Sequence, residues 1–331
     1  MKILIVGAGL SGATLARRLA QSGHCVDIID ERNHVAGNAY DYIDESGIRI
    51  HKYGPHIFHT SNEKVINFLS NFTGWIPYKH KVRALLSDGR KVILPPNKNT
   101  AQILGDQLVE VIYRRYTKKM WGYELEEIDP SIINRIKIRN DDNEFYFPDD
   151  KFQFMPENGY TAMVEKMLEH SNIELSLTTD FNRSYEKDYD HIFNSMPIDK
   201  YYNYEHGELE YRSIKFKHVV LDQTYCSKDV TINFTHDGPF TRVTEWKNFP
   251  QHGQNDYKTV LTYEEPCDFR ENNFERYYPV KDLLGRNKAL YKKYKEIPND
   301  KVSFIGRCGQ YVYIDMHQAV NQALQIAEKH L

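Results

Sequence analysis

Cysteine is scarce in this chain of 331 residues: only Cys25, Cys226, Cys267 and Cys308 occur, far apart and never as C-x-x-C. That excludes a disulfide framework and a cysteine-rich zinc site, and it suits a reducing compartment. Long apolar runs are missing as well. No segment approaches the ~18–20 uninterrupted apolar residues that a membrane span needs. Charge of one sign is also absent, with 43 Lys and Arg against 46 Asp and Glu. A net charge of −3 gives no overall attraction to nucleic acid or to an anionic membrane. Repeats and low-complexity tracts do not occur. What is plentiful is aromatic: 24 Tyr and 16 Phe, with many of the tyrosines close to arginine. Phenol and guanidinium groups in that number suit a site for a sugar and phosphates, although tyrosine also packs well.

The strongest local signal is at Met1–Gly12. Ile3, Leu4, Ile5 and Val6 form a short buried strand, followed by Gly7-Ala8-Gly9-Leu10-Ser11-Gly12 and an apolar-periodic helix through Ala13, Leu15, Ala16 and Leu19. A G-x-G-x-x-G between strand and helix offers bare backbone amides and a helix N-terminus to a pyrophosphate. A second strand, Cys25–Ile29, ends at Asp30, the distance at which an acid holds ribose hydroxyls. One Lys before an apolar run resembles a secretory leader, but Arg17-Arg18 stands where a small-residue cleavage site belongs. A cytoplasmic, soluble protein is the expectation.

Further along, Glu31 to Ala39 reads as a charged turn with Gly37, suited to a dinucleotide larger than nicotinamide. His51-Lys52-Tyr53-Gly54-Pro55-His56-Ile57-Phe58-His59 puts three histidines in a bent loop. No carboxylate falls at ligand spacing there, so no metal site is expected. Ser61-Asn62-Glu63 caps a helix over 62–73, and 81–94 reads as a hairpin turning at Asp88-Gly89. Asn99-Thr100 is read as the cap of a helix running to Tyr116. Residues 130–156 read as loop. A helix near 160–169 precedes strands at 173–177 and 191–194. The alternation in 205–265 predicts an antiparallel sheet with one wet face. The tail offers a strand at 302–307 and a helix from Asp315 through Leu331.

Longer motifs carry a resemblance over nearly the whole chain. They are Arg-Asn-His-x-x-Gly-Asn-Ala-Tyr at 32–40, His-Lys-Tyr-Gly-x-His-Ile-Phe-His-Thr at 51–60 and Tyr-Thr-x-Lys-x-Trp-Gly at 116–122. Glu-Tyr-Arg-Ser at 210–213, Thr-Arg-x-x-Glu at 241–245, Tyr-Tyr-Pro-Val at 277–280 and Tyr-x-Asp-Met-His-Gln at 313–318 complete the set. In these the chain resembles the flavin-dependent UDP-galactopyranose mutases. The resemblance implies an isomerase that interconverts UDP-galactopyranose and UDP-galactofuranose for cell-surface glycans. N5 of reduced FAD attacks the anomeric carbon, UDP departs, and the sugar recloses through an iminium on the flavin. NAD(P)H or another external reductant would reduce the flavin.

The same resemblance implies roles for particular residues. Arg135 and Arg242 contact the pyrophosphate, with Arg212 beside them. Tyr146, Tyr278 and Tyr313 give hydroxyls to the phosphates. Tyr116 stacks on uracil with Tyr113, Thr117 and Asn233 nearby; the spacing of Tyr113 and Tyr116 equally permits a buried helix face. Trp121 and His80 lie by the sugar. Catalysis is assigned to His56, Arg135 and Arg242, with His56 touching the flavin. The FAD site comprises Gly7, Gly9, Leu10, Ser11, Gly12, Asp30, Glu31, Arg32, Asn38, Ala39, His56, Ile57, Arg307, Tyr313, Ile314, Asp315, Met316 and Gln318.

The implied fold is α/β: a Rossmann-like FAD domain (1–78, 157–200 and 300–331), a reduced helical subdomain (98–130) and an antiparallel-sheet substrate subdomain (79–97, 131–156 and 201–299). The chain departs from the family pattern between Thr100 and Tyr113, where several helices' worth of sequence is missing. A monomer or an atypical dimer is therefore expected, along with loose choice of the nucleotide base. His80 replaces a usual Asn, which leaves the hexose open, and Ala36 replaces a Gly. The alternatives are a mutase of another nucleotide sugar such as a dTDP-hexose, a flavin oxidase or desaturase on the same scaffold, and a nucleotide-sugar binding protein without turnover.

Overall fold

The computed structural model describes residues 1–134 and 136–330; Arg135 and Leu331 lie outside the described residues. A five-stranded parallel sheet runs in the order Ile173–Ser176, Cys25–Ile29, Lys2–Val6, His191–Asn194 and Val302–Phe304. Ile3, Leu4, Ile5 and Val6 are all buried, as a parallel strand covered on both faces requires. The helix Leu10–Gln21 packs on this sheet against the helices Gly159–Leu168 and Met316–Ala327. Its buried face is Ala13, Leu15, Ala16 and Leu19, the periodicity that the sequence displays.

A seven-stranded sheet forms the second body, in the order Tyr278–Pro279, Tyr211–Leu221, Thr259–Asp268, Arg242–Glu245, Thr231–Phe234, Val82–Leu85 and Lys91–Leu94. All neighbours are antiparallel except Thr231–Phe234 with Val82–Leu85, which run parallel. The hairpin at 82–94 turns where Gly89 N–H meets the Leu86 carbonyl at 3.0 Å. Among the described residues no helix is long and apolar enough to cross a membrane.

Three expectations need correction. The helix expected from Asn99 to Tyr116 is broken: it begins at Lys98, capped by the Asn97 side chain, and stops at Leu104 because Gly105 takes φ +51°. A 3-10 turn (Gly105–Gln107), a π-helical stretch (Val109–Arg114) and a separate α-helix (Arg115–Trp121) follow. The stretch read as loop over 130–156 holds a helical turn, Pro130–Ile133, and a strand, Phe152–Pro156. That strand is completed only by distant partners, Phe58–Thr60 and Trp75–Pro77, so local pattern does not announce it. The tail helix is Met316–Ala327, with Asp315 as its N-cap in a capping box with Gln318.

Two backbone positions shape the nucleotide turn. A Cβ on Gly12 would lie 1.9 Å from the Gly7 carbonyl oxygen, so only glycine lets helix and strand meet there. Ala36 sits at φ +68°, a left-handed conformation that costs a non-glycine residue about 1–2 kcal/mol. Its N–H donates to the Ala8 carbonyl at 2.9 Å, which fastens the strained turn to the first glycine loop. Gly12→Ala is expected to lower the unfolding free energy by about 1–3 kcal/mol through this overpacking. Denaturant titration measures it, and a variant as stable as the parent would contradict the packing.

Candidate active site

Gly7, Gly9, Leu10, Ser11, Gly12, Asp30, Glu31, Arg32, Asn38, Ala39, His56, Arg307, Ile314, Asp315 and Met316 all line one cleft of about 1150 Å³. At its floor the helix Leu10–Gln21 starts with no side-chain cap, so its first-turn amides are left for a ligand. Asp30 is a brace here: its two oxygens accept the Ala8 N–H at 2.8 Å and the Arg32 N–H at 2.9 Å. Burial raises its pKa despite those bonds. Glu31, by contrast, is exposed and pairs with Lys200 at 3.2 Å. Arg32 spans the wall, donating to Asn38 Oδ1 at 2.9 Å and pairing with Glu275 over the Tyr53 ring. The bare amides, the close approach of Gly9 to Gly37 and the cleft's size fit a dinucleotide cofactor. Ile57 is buried behind the wall, and the Gln318 side chain is engaged with the Asp315 amide at 2.9 Å.

Arg307 joins this cleft to the second sheet. Its guanidinium donates to the Tyr277 carbonyl at 3.2 Å and to the Ile314 carbonyl at 2.8 Å. It lies 5.1 Å from the Tyr278 ring centroid and 5.4 Å from that of Tyr313. Trp121 closes the group, 5.9 Å from each of those two rings.

The sheet's register supplies the rest. Phe216 pairs with Glu264, Glu264 with Arg242, Arg242 with Asn233, and Asn233 with Ala84. Cross-strand partners share one face, so these side chains form a row across five strands. Arg242 Nε lies 2.9 Å from Glu264 Oε2, and Glu264 is 1 % exposed. The contact is an ion pair without good N–H alignment, and both Arg242 Nε and Glu264 Oε1 lack a hydrogen-bond partner. Asn233 Oδ1 is likewise buried without one. Burial opposes the Arg242 charge, but the Glu264 carboxylate and the phenols of Tyr116, Tyr278 and Tyr146 raise its pKa. Burial in turn raises the pKa of Glu264 against the pull of Arg242.

The structure thus brings Tyr116, Tyr146, Tyr278, Asn233 and Arg242 together, with His56 and His80 near enough to feel the arginine. Burial pushes the His56 pKa down to about 4, opposed by the Gly54 carbonyl and aided by Arg307 and Arg242. His80 falls to about 3, again chiefly through burial. His80 Nδ1 meets the Tyr78 hydroxyl at 3.0 Å.

Tyr113 and Arg212 spend polar atoms on main-chain carbonyls within the fold. Tyr113 is buried in an apolar cluster and its hydroxyl donates to the Ile136 carbonyl at 2.7 Å. Thr117 is buried on the next helix, Arg115–Trp121. Arg212 donates to the Met120 carbonyl at 2.8 Å and the Lys119 carbonyl at 3.2 Å, capping the helix that carries Tyr116 and Trp121. Arg135 lies outside the described residues. Sequence reasoning missed Glu264, whose signal is an acid on the buried phase of an alternating strand. It also missed Lys119, whose ammonium binds the Phe234, His236 and Phe240 carbonyls at 2.9, 3.1 and 3.0 Å. That clamp holds the hairpin carrying Asn233 and Arg242 against the Tyr116 helix. His59, Asp315 and His317 each bring one ligand atom within 4.8 Å of the others. The N-terminal end of the last helix faces the same spot, where its partial positive charge works against a cation.

A Rossmann-type dinucleotide cleft beside a half-buried arginine faced by tyrosines is the arrangement of a nucleotide-cofactor enzyme. A sequence profile of the UDP-galactopyranose mutase family matches residues 111–313, and a Rossmann-like NAD(P)-binding profile matches residues 5–72. A probable UDP-galactopyranose mutase of Klebsiella pneumoniae is 34 % identical, covering 99 % of this chain and 94 % of that protein. A dTDP-fucopyranose mutase of Escherichia coli is also 34 % identical, over 100 % of this chain and 98 % of that protein. A crystal structure of a reduced UDP-galactopyranose mutase superposes with a TM-score of 0.76 at 15 % identity, covering 99 % of this chain and 93 % of that one. The chain belongs to the UDP-galactopyranose mutase family, and it is an enzyme of the isomerase class.

The buried histidines set an acid limit. His34, His56 and His252 are held near pKa 4 and His80 near 3, in each case mainly by burial. Unfolded, each takes a proton at about 6.5, so between about pH 6.5 and 4 the unfolded chain binds more protons and stability falls with pH. Denaturation midpoints are expected to be level above pH 7 and to drop steeply towards pH 4. A level profile across that window would contradict the neutral, buried assignment.

Proposed function

We propose that the chain interconverts the pyranose and furanose forms of a nucleotide-diphosphate hexose, with UDP-galactose as the first candidate, on a reduced FAD held in the Rossmann cleft. The observation that carries this reading is Arg242. It is a permanent charge fixed at the middle of the sheet by Glu264 and faced by tyrosine hydroxyls, beside the dinucleotide cleft.

In this reading the glycine loop and the uncapped helix start hold the cofactor's pyrophosphate, while Glu31, Arg32, Asn38 and Ala39 hold its adenosine side. His56, Arg307 and the Ile314–Met316 segment meet its ring. Reduced flavin, when bound, supplies an electron-rich nitrogen as nucleophile for the anomeric carbon. The residues do the rest. Arg242 and Arg135 grip the diphosphate before it leaves C1, keep it beside the sugar, and return it. A guanidinium suits that task because it never loses its charge and donates two parallel bonds. Tyr146, Tyr278 and Tyr313 contribute hydroxyls. Burial raises the Tyr116 and Tyr278 pKa values, so these phenols stay protonated donors. Tyr116 stacks on the base, with Thr117 and Asn233 nearby, and Trp121 and His80 flank the sugar. His56 gives its Nδ1 proton to the Gly54 carbonyl at 2.8 Å, so neutral Nε2 can only accept, from a ligand N–H or O–H. Arg307 adds positive charge where a reduced, anionic ring would lie.

A second reading is a mutase of a dTDP-hexose, favoured by equal identity to the Escherichia coli dTDP-fucopyranose mutase and to the Klebsiella relative. The broken helices at 98–121 favour loose base choice, since Tyr113 commits its hydroxyl to Ile136. They also favour a monomer or an atypical dimer. NAD(P)H as reductant and a cytoplasmic location complete the proposal.

Purified enzyme with FAD, given UDP-galactofuranose, dTDP-fucofuranose and their pyranose forms, should show ring interconversion only after dithionite reduction. Turnover of at least one pair with the flavin returned reduced is the expected result. Oxidation of substrate at the expense of oxygen, or binding of UDP without any ring change, would overturn the reading.

A further inference from the structure

Behind the wall of the cleft runs a chain of histidines that the proposed reaction leaves unused. The main-chain N–H of His56 donates to His51 Nδ1 at 3.1 Å. A ring nitrogen that accepts carries no proton, so neutral His51 bears its proton on Nε2. That Nε2 lies 3.1 Å from Nε2 of His252. One of the two must donate, and His51 holds the proton, so His252 Nε2 accepts. His252 is then protonated on Nδ1, which faces the Pro250 carbonyl at 3.0 Å. An amide stands at one end and a carbonyl at the other, so the direction cannot reverse. With neutral rings, a single proton arrangement satisfies all three contacts.

The surroundings enforce neutrality. His51 is 0 % and His252 4 % exposed. Trp246 lies 4.9 Å from the His51 ring and stacks on His252 at 6.2 Å, with Phe249 at 5.0 Å from His252. Burial pushes His51 well below the ordinary histidine range, with His252, His56 and Arg49 acting the same way. A second proton on His252 would set N–H against N–H at the His51–His252 contact, and one on His51 would set Nδ1–H against the His56 N–H. His252 is itself fixed through its main chain, its carbonyl accepting the Arg49 N–H at 2.7 Å.

We infer that His51 and His252 are positioning residues: a one-way hydrogen-bond chain from the His56 amide to the Pro250 carbonyl fixes the His51 tautomer, and with it the place of the His56 loop at the wall of the cleft. The inference rests on the cofactor cleft of the reading above, yet it concerns this chain's own protons. Without His252 as acceptor, His51 is free to carry its proton on Nδ1. That tautomer turns a donor against the His56 N–H and pushes the loop, and the ring it carries, away from its place. His56 then meets the bound ring less well.

The test uses apo protein first. Long-range ¹H–¹⁵N correlation on ¹⁵N-histidine protein reads the tautomer directly. Wild-type His51 is expected as the Nε2–H form. His252→Phe keeps a flat ring between Trp246 and Phe249 but removes the acceptor, whereas His252→Gln keeps an oxygen that can accept. In His252→Phe the Nε2–H signal of His51 should weaken, and affinity for FAD, read by quenching of its fluorescence, should fall about tenfold. His252→Gln should recover most of both. Neither readout depends on turnover, so they stand or fall apart from the mutase reaction. An Nδ1-protonated His51 in the wild type would overturn the inference. So would a His252→Phe variant with unchanged tautomer and FAD affinity. If that variant does not fold, the wild-type tautomer decides alone.

Discussion

The ion pair between Arg242 and Glu264 is the contact around which the rest of the site is arranged. Two opposite charges on neighbouring strands, one of them 1 % exposed, hold a guanidinium in the face of a sheet. A buried pair of this kind adds little net stability, because desolvation offsets the attraction. Its value is placement. Glu264 lies against one edge of Arg242 and leaves about a quarter of its side chain exposed. A cation so fixed stands beside the phenols of Tyr116, Tyr146 and Tyr278, the arrangement on which the proposed diphosphate grip rests.

The pair also ties the two bodies together. Gly54, at φ +80°, packs so closely that a Cβ there would lie 3.0 Å from Glu264 Oε1 and 2.9 Å from Phe216. The His56 loop therefore rests directly on the carboxylate that holds Arg242. Tyr277 donates its hydroxyl to the Tyr53 carbonyl and accepts Arg307 at its own. The Rossmann cleft and the Arg242–Glu264 row share walls, so a shift of one presses on the other.

How much of this the sequence made legible depends on how local each cause is. The Gly7–Gly12 turn was readable because its requirement is a backbone one, met within six residues. The Asp88-Gly89 hairpin and the Asn62 cap were readable for the same reason. The helix expected to run to Tyr116 was not, because Gly105 adopts a conformation that apolar spacing does not report. The strand Phe152–Pro156 depends on partners some 80–95 positions earlier, and no pattern inside it says so. Glu264 escaped notice because its significance comes from register across strands. Arg212 shows the converse: a residue placed beside the phosphates by motif turns its guanidinium to the end of a helix.

The direct measurement of the central claim is calorimetric binding of UDP and UMP to the wild type and to Arg242→Lys. A planar fork held by Glu264 should favour the diphosphate over the monophosphate by about tenfold or more, and a lysine point charge should remove most of that preference. An Arg242→Lys protein that still discriminates UDP from UMP as well as the wild type would contradict the account.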